Sequence, residues 1–325
     1  VPQTTGTPSL ESLDQLQLNL DSGNLLLLNL ILGFVMFGVA IGIDPSDFKM
    51  VIKKPKAVLV GLSGQWLILP FLTILLIALM GSYISTGMAM GMILVASCPG
   101  GNISNFMVHH AKGNTALSVS LTAFSTVGSI ILTPLTFLFW GTIYTSWIAT
   151  DAENPLLREL SINPIEVGTA VFLLLGLPLL LGMGLRRIAP HLVSRLHTPM
   201  RWASILAFLA IIIVAFSKNL ESFLAYIHLI FAIVLIHNAA VYLGGYTWSR
   251  AFKLKRRERR SIAIEMGIQN SGLGLVLLLN PTIFPLELPI GGMAAITAWW
   301  GIWHMVSGLS ISSYWRMRTQ TDAHE

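Results

Sequence analysis

Glu265 has the most chemistry to account for. It lies in Glu265-Met266-Gly267-Ile268-Gln269-Asn270-Ser271-Gly272-Leu273-Gly274, a carboxylate, two amides and three glycines inside an apolar stretch. No Lys or Arg accompanies it in the core of any apolar segment, and an uncompensated charge at bilayer depth costs about 2.5 kcal/mol or more. A bound cation, a transferred proton, or a proton held in a structural hydrogen bond could each neutralise it. The neighbouring residue types favour a hard cation. Gln269 follows Glu265 by four residues, Ser118 and Thr122 are four apart elsewhere, and Ser104 and Asn105 are adjacent. Four-residue spacing puts each pair on one helix face. Carboxylate, amide, hydroxyl and freed carbonyl oxygens suit alkali or alkaline-earth ions better than zinc or copper. Hydroxyls in membrane helices commonly bond backbone or a neighbouring helix, so the signal is their clustering rather than any one of them.

The elements that must position these residues are two interrupted helices. In one, an apolar run meets Ser97-Cys98-Pro99-Gly100-Gly101-Asn102-Ile103-Ser104-Asn105, where Pro and two Gly break the backbone ladder; the other carries Glu265 and Gln269. Irregular backbone at membrane depth is tolerated where it is buried in protein or lines a cavity, and paired broken helices point to a transporter's binding site.

Bulk composition supports this setting. Of 325 residues, 54% are hydrophobic and 11% charged, with a mean hydropathy of +0.72; an ordinary soluble domain has a charged fraction of about 25%. A soluble enzyme is excluded, and at about 20 residues per span the chain holds at most roughly ten crossings. Nine apolar segments are read, at 24–43, 57–80, 86–111, 114–141, 165–185, 202–217, 226–249, 262–281 and 290–315. With the N-terminus outside, 18 of the 20 Lys and Arg fall on the cytoplasmic side, leaving only Arg158 and Lys218 outside. The formal charge of +5 therefore reads as topology anchoring rather than nucleic-acid binding. The expected organisation is an extracytoplasmic tail at 1–23 that could form a short surface helix, a transmembrane domain at 24–315 with broken helices at about 86–111 and 262–281, and a cytoplasmic tail at 316–325. The last five segments have their broken helix fourth and the first four have theirs third, so the halves match if the first has lost its opening helix. They enter the membrane from opposite sides, which is an inverted-topology repeat.

Pro99-Gly100-Gly101-Asn102-Ile103-Ser104-Asn105, then Gly113-Asn114 with Leu117-Ser118 and Thr122, and Glu265-Met266-Gly267-Ile268-Gln269-Asn270-Ser271-Gly272 resemble the signatures of the bile acid:sodium symporter family. Met36-Phe37-Gly38, Gly64-Gln65, Leu69-Pro70, His237-Asn238 and Trp303-His304 are similar too, and the likeness covers roughly residues 30–315. It implies an all-α polytopic protein with a core domain, in which the broken helices cross, and a panel domain. It also implies two co-transported sodium ions. By matching position, one would be held by Ser104, Asn105, Ser118, Thr122 and Glu265. The other would be held by Gln65, Glu265 and Gln269 with the carbonyls of Met266 and Ile268. Substrate beside the crossing would meet Asn102, Asn270 and His304. From residue type alone, His237 and His304 read first as helix-packing donors. Some bacterial relatives carry Asn after the Trp-His pair, where this chain has Met305, so a small, highly polar substrate that depends on that amide is disfavoured.

Two sodium ions against one carboxylate leave a charge near +1, and helix halves starting after each break direct N–H groups to the same place. The expected function is sodium-coupled symport of an organic anion by alternating access. The resemblance spans bile acids and smaller carboxylates such as pantoate or keto acids. The alternative is proton coupling through Glu265. An intramembrane enzyme is disfavoured, since no HExxH and no pair of Asp in segment cores is present. The expected location is the plasma membrane, the bacterial inner membrane in a prokaryote, in contact with lipid and without nucleic acid, as a monomer or weak homo-oligomer.

Overall fold

The computed structural model describes residues 53–149, 172–196, 198–200, 220–280, 283–285 and 288–321, with isolated positions at 13–14, 33–34, 37–38, 41, 202–203 and 206. All named elements among these are helices, as the sequence predicts. Three helices, Pro55–Tyr83, Thr115–Trp147 and Tyr226–Ala251, are long and apolar enough to cross a bilayer, and Thr86–Ser97 is a shorter apolar helix. Each coincides with an apolar segment read from the sequence. The segments at 24–43 and 202–217, the start of the one at 165–185, and most of 1–23 lie outside the described residues.

The first long helix has three parts: α1 (Pro55–Ser63), a π-helical turn at Gly64–Ile68, and α2 (Leu69–Met80). Pro70 offers no N–H to the carbonyl four residues back, and its ring would collide with that carbonyl, so a wider turn ahead of it is the local remedy. The same device precedes Pro178, with a π-helical turn at Phe172–Gly176 leading into α6 (Leu177–Ile188).

The first interrupted helix is α3 (Thr86–Ser97) followed by α4 (Ile103–His110). Pro99 disfavours helical geometry at the residue before it, and Cys98 is extended, with φ −73° and ψ 156°. α3 lies at the centre of the molecule, every residue from Gly87 to Ser97 being buried. Next come α5 (Thr115–Trp147), then α7 (Leu220–Ala251), and the second interrupted helix, α8 (Arg256–Gly267) followed by α9 (Ser271–Leu278). The last helix is α10 (Gly291–Thr321). Helices approach closely where glycine removes a side chain. A Cβ on Gly91 of α3 would lie 2.9 Å from Met293 Cα of α10, and one on Gly245 of α7 would lie 3.0 Å from Ala263 Cα of α8.

Three boundaries differ from the sequence reading. α8 begins at Arg256, six residues before the apolar run at 262, because Glu258 accepts from the Lys255 N–H at 3.1 Å and caps the basic first turn. Glu258 also forms an ion pair with Lys54 just ahead of α1. α10 continues through Arg316 and Arg318 to Thr321. In the stretch read as an external tail, the described residues Leu13 and Asp14 are helical and buried. Asp14 accepts from Ser85 Oγ at 2.7 Å and from the Gly87 N–H at 2.8 Å, so its carboxylate meets the positive end of α3. It also lies where a Cβ on Gly292, at the start of α10, would sit.

Candidate functional site

The two breaks lie against each other. Gly100 and Gln269 form an antiparallel bridge; the Gly101 N–H donates to Ile268 O and the Asn270 N–H to Pro99 O, each at 2.8 Å. Each break thus satisfies backbone groups that the other has released, as buried backbone requires. Asn270 caps α9 by accepting from the Leu273 N–H at 3.0 Å.

The turn between α4 and α5 fixes the hydroxyl-bearing face of α5. Lys112 takes a left-handed conformation, with φ 56°. Asn114 then caps α5 by accepting from the Leu117 N–H at 3.2 Å. Its own N–H donates to Ser261 Oγ at 2.7 Å, and Arg260 donates to Ala111 O at 3.0 Å, fastening the turn to α8. Ser118 and Thr122, one turn apart on α5, therefore face Glu265 on α8.

Glu265 is buried at the meeting of α4, α5 and α8. Its Oε2 accepts from Ser104 Oγ and Ser118 Oγ, both at 2.7 Å, and its Oε1 accepts from Thr122 Oγ1. Asn105 Oδ1 accepts from Ser118 Oγ at 2.8 Å and from Thr122 Oγ1 at 3.3 Å. All five residues expected at the first ion position are thus in one cluster, and every group in contact presents oxygen. Among the described residues no basic side chain bonds the carboxylate. Such a cluster compensates a buried carboxylate incompletely without a cation or a proton, and its donor set is that of a hard, singly charged ion.

The second group gathers differently. Gln65, on the π-helical turn, donates through Nε2 to Cys98 O at 3.0 Å and to Gln269 Oε1 at 2.6 Å; Gln269 Nε2 donates to Met266 O at 2.6 Å. Gln65, Gln269 and Met266 are therefore together, while the Ile268 carbonyl is taken by the Gly101 N–H at the crossing. The carboxylate oxygens of Glu265 are turned to the hydroxyls rather than to the paired amides.

The three residues expected at substrate are more dispersed. Asn102 is exposed at the start of α4, Asn270 is partly buried at the start of α9, and His304 is buried in α10 with no partner for Nδ1 among the described residues. Met305 is 46% exposed. His237 is a packing residue, with Nε2 2.7 Å from Thr73 Oγ1 and its ring against Trp300.

Two contributions were missed from sequence. A Cβ on Gly100 would lie 2.6 Å from Glu265 Oε1, so this glycine makes room for the carboxylate as well as breaking the helix. Asn238 donates to the Gly267 carbonyl at 2.8 Å and accepts from Ser307 Oγ at 2.6 Å, holding the end of α8. The His237-Asn238 pair in an apolar helix marks a buried amide, but not its partner.

Comparison with known proteins agrees with this chemistry. The model of the Sodium Bile acid symporter family matches residues 29–226. An uncharacterized sodium-dependent transporter of Bacillus subtilis, YocS, is 30% identical over 90% of this chain and 84% of its own length. The probable chloroplastic sodium/metabolite cotransporter BASS2 of Oryza sativa subsp. japonica is 31% identical over 88% of this chain, which spans 63% of that longer protein. The probable chloroplastic sodium/metabolite cotransporter BASS1 of Arabidopsis thaliana is 28% identical over 88% of this chain and 65% of its own length.

Proposed function

We propose that this chain, which belongs to the sodium bile acid symporter family, couples inward sodium flow to uptake of an organic anion. The observation that carries the reading is Glu265, buried with Ser104, Ser118, Thr122 and Asn105 around it and no basic partner among the described residues. A first sodium ion sits among these oxygens. A second binds beside Gln65 and Gln269, with the carbonyls of Met266 and Ile268, and Glu265 serves both. The amide pair must open and Gln65 must present its oxygen when that ion enters. The carboxylate of the substrate lies by Asn102, Asn270 and His304, drawn by the net positive charge of the loaded site and by the N-termini of α4 and α9. It is a bile acid or a smaller carboxylate such as pantoate or a keto acid, and Met305 favours a less polar one.

The remaining architecture belongs to the same proposal. The chain crosses the plasma membrane nine times, N-terminus outside and C-terminus inside, as an inverted repeat with core and panel domains, and works as a monomer or weak homo-oligomer. Sodium prearranges the broken backbones, so sodium and anion raise each other's affinity by reciprocal linkage. Uptake of labelled carboxylates into proteoliposomes tests this: a sodium gradient should drive accumulation, and replacing sodium with choline at fixed pH should abolish it. Equal uptake in choline would overturn the sodium reading and leave Glu265 as a proton carrier.

A further inference from the structure

A cavity of about 530 Å³ lies between α7 and α10, away from the ion cluster. Its α7 wall includes Leu235, Ala239 and Leu243, and Leu243 is 65% exposed, so the cavity is a groove open on its outer side. One end is closed by Phe231 against Trp303, with ring centroids 5.0 Å apart, and the other by Tyr246 against Trp315, at 5.9 Å. The two ends differ in charge. Tyr246 is followed one turn later on its own helix face by Arg250, and Trp315 by Arg318; both arginines are exposed. No basic residue follows the Phe231 and Trp303 end within a turn on either helix.

The length of the groove fits one leaflet. Trp303 to Trp315 is 12 residues, or about 18 Å at 1.5 Å per residue, against about 15 Å for half of the hydrocarbon core. An apolar slot of one leaflet's depth, ending in an aromatic pair and then two arginines, matches a lipid in both shape and charge. The hydrocarbon walls match a chain, the aromatic pair matches the interface, and the arginines match an anionic head group. Asn238 and Ser307 at the floor bond one another and the Gly267 carbonyl, so they do not require a polar occupant.

We propose that this groove is a binding site for one anionic phospholipid of the leaflet on the Arg250 side, with an acyl chain between α7 and α10 and its head group at Arg250 and Arg318. The test is native mass spectrometry of the purified full-length chain with phosphatidylglycerol or phosphatidylcholine, which reads no transport and so stands or falls apart from the sodium reading. The wild type should retain one phosphatidylglycerol with a preference of roughly tenfold over phosphatidylcholine. Ala239→Phe, which fills the slot, should remove that lipid. Arg250→Gln with Arg318→Gln, on exposed positions that disturb no packing, should erase the preference between head groups. Retention of the same lipid count by Ala239→Phe would overturn the acyl-chain site, and an unchanged preference in the double variant would overturn the head-group assignment.

Discussion

Thr122→Val is the most discriminating single test of the ion cluster. Valine keeps the branched shape of threonine in the buried interior of α5 and removes only the hydroxyl. That hydroxyl donates to Glu265 Oε1, lies 3.3 Å from Asn105 Oδ1 and 3.4 Å from Ser104 Oγ, and bonds the Ser118 carbonyl at 3.1 Å. A hydrogen bond or ligand contact involving a charged partner contributes about 1.5–3 kcal/mol, so its loss from the ion-bound state should weaken sodium binding roughly 10- to 150-fold. Stability without sodium should fall as well, which makes a control necessary. Thr73→Val serves, because Thr73 is equally buried but pairs with His237 and Leu69 O. The assay is a sodium titration of the purified protein, with sodium-dependent thermal stabilisation and the sodium half-saturation of uptake read in parallel. Thr122→Val should move both half-saturation points upward, whereas Thr73→Val should lower thermal stability and move neither. If Thr122→Val and Thr73→Val shift the sodium half-saturation equally, or neither shifts it, Thr122 is not a ligand and the assignment of the cluster fails.

Other expectations follow from the same geometry. Gly100→Ala pushes a Cβ to 2.6 Å from Glu265 Oε1, against 3.2 Å from Gln269 O for Gly101→Ala; sodium stabilisation measured by melting should be lost in the first and only weakened in the second. Gln269→Leu removes one amide of the proposed second site and should reduce the sodium Hill coefficient of uptake from near two to near one. Asn238→Ala orphans the buried Gly267 carbonyl and the Ser307 hydroxyl and should cost about 1–3 kcal/mol in denaturation experiments. Asp14→Asn should cost about 1.5–3 kcal/mol of stability by weakening two charge-assisted bonds at the start of α3; an unchanged melting temperature would mean that residues 13–14 are not needed to hold that helix.

Much of the site was legible because it violates the rules of its surroundings. A carboxylate in an apolar helix and Pro-Gly-Gly in another are errors unless they serve something, and both mark the crossing. The pairing of Ser118 with Thr122 was legible from helical spacing, since one turn is a local property. What escaped depends on contacts distant in sequence or on local geometry without a strong signature. The π-helical turn that carries Gln65 follows from Pro70, but sequence does not decide between a wide turn and a kink. The start of α8 at Arg256 was invisible to an apolar count because the cap and an ion pair, not hydrophobicity, hold that turn. Asp14 looked like part of an acidic surface strip, and its burial depends on Ser85 and Gly87, more than seventy residues away. Asn238 was visible only as an amide in an apolar helix, without sign of Gly267.

The bridge between the breaks also makes a claim about time. The amide protons of Gly101 and Asn270 belong to different helices, yet each is held by a carbonyl from the opposite break. Neither strand can slip by a residue without both bonds being lost together, so the two protons share a single opening event. Their exchange with deuterium should be slow and equal in rate, and any condition that releases one should release the other. If that holds, the four half-helices move as one piece during each cycle, and the deformation that turns the site from one side of the bilayer to the other must be borne by the elements around them.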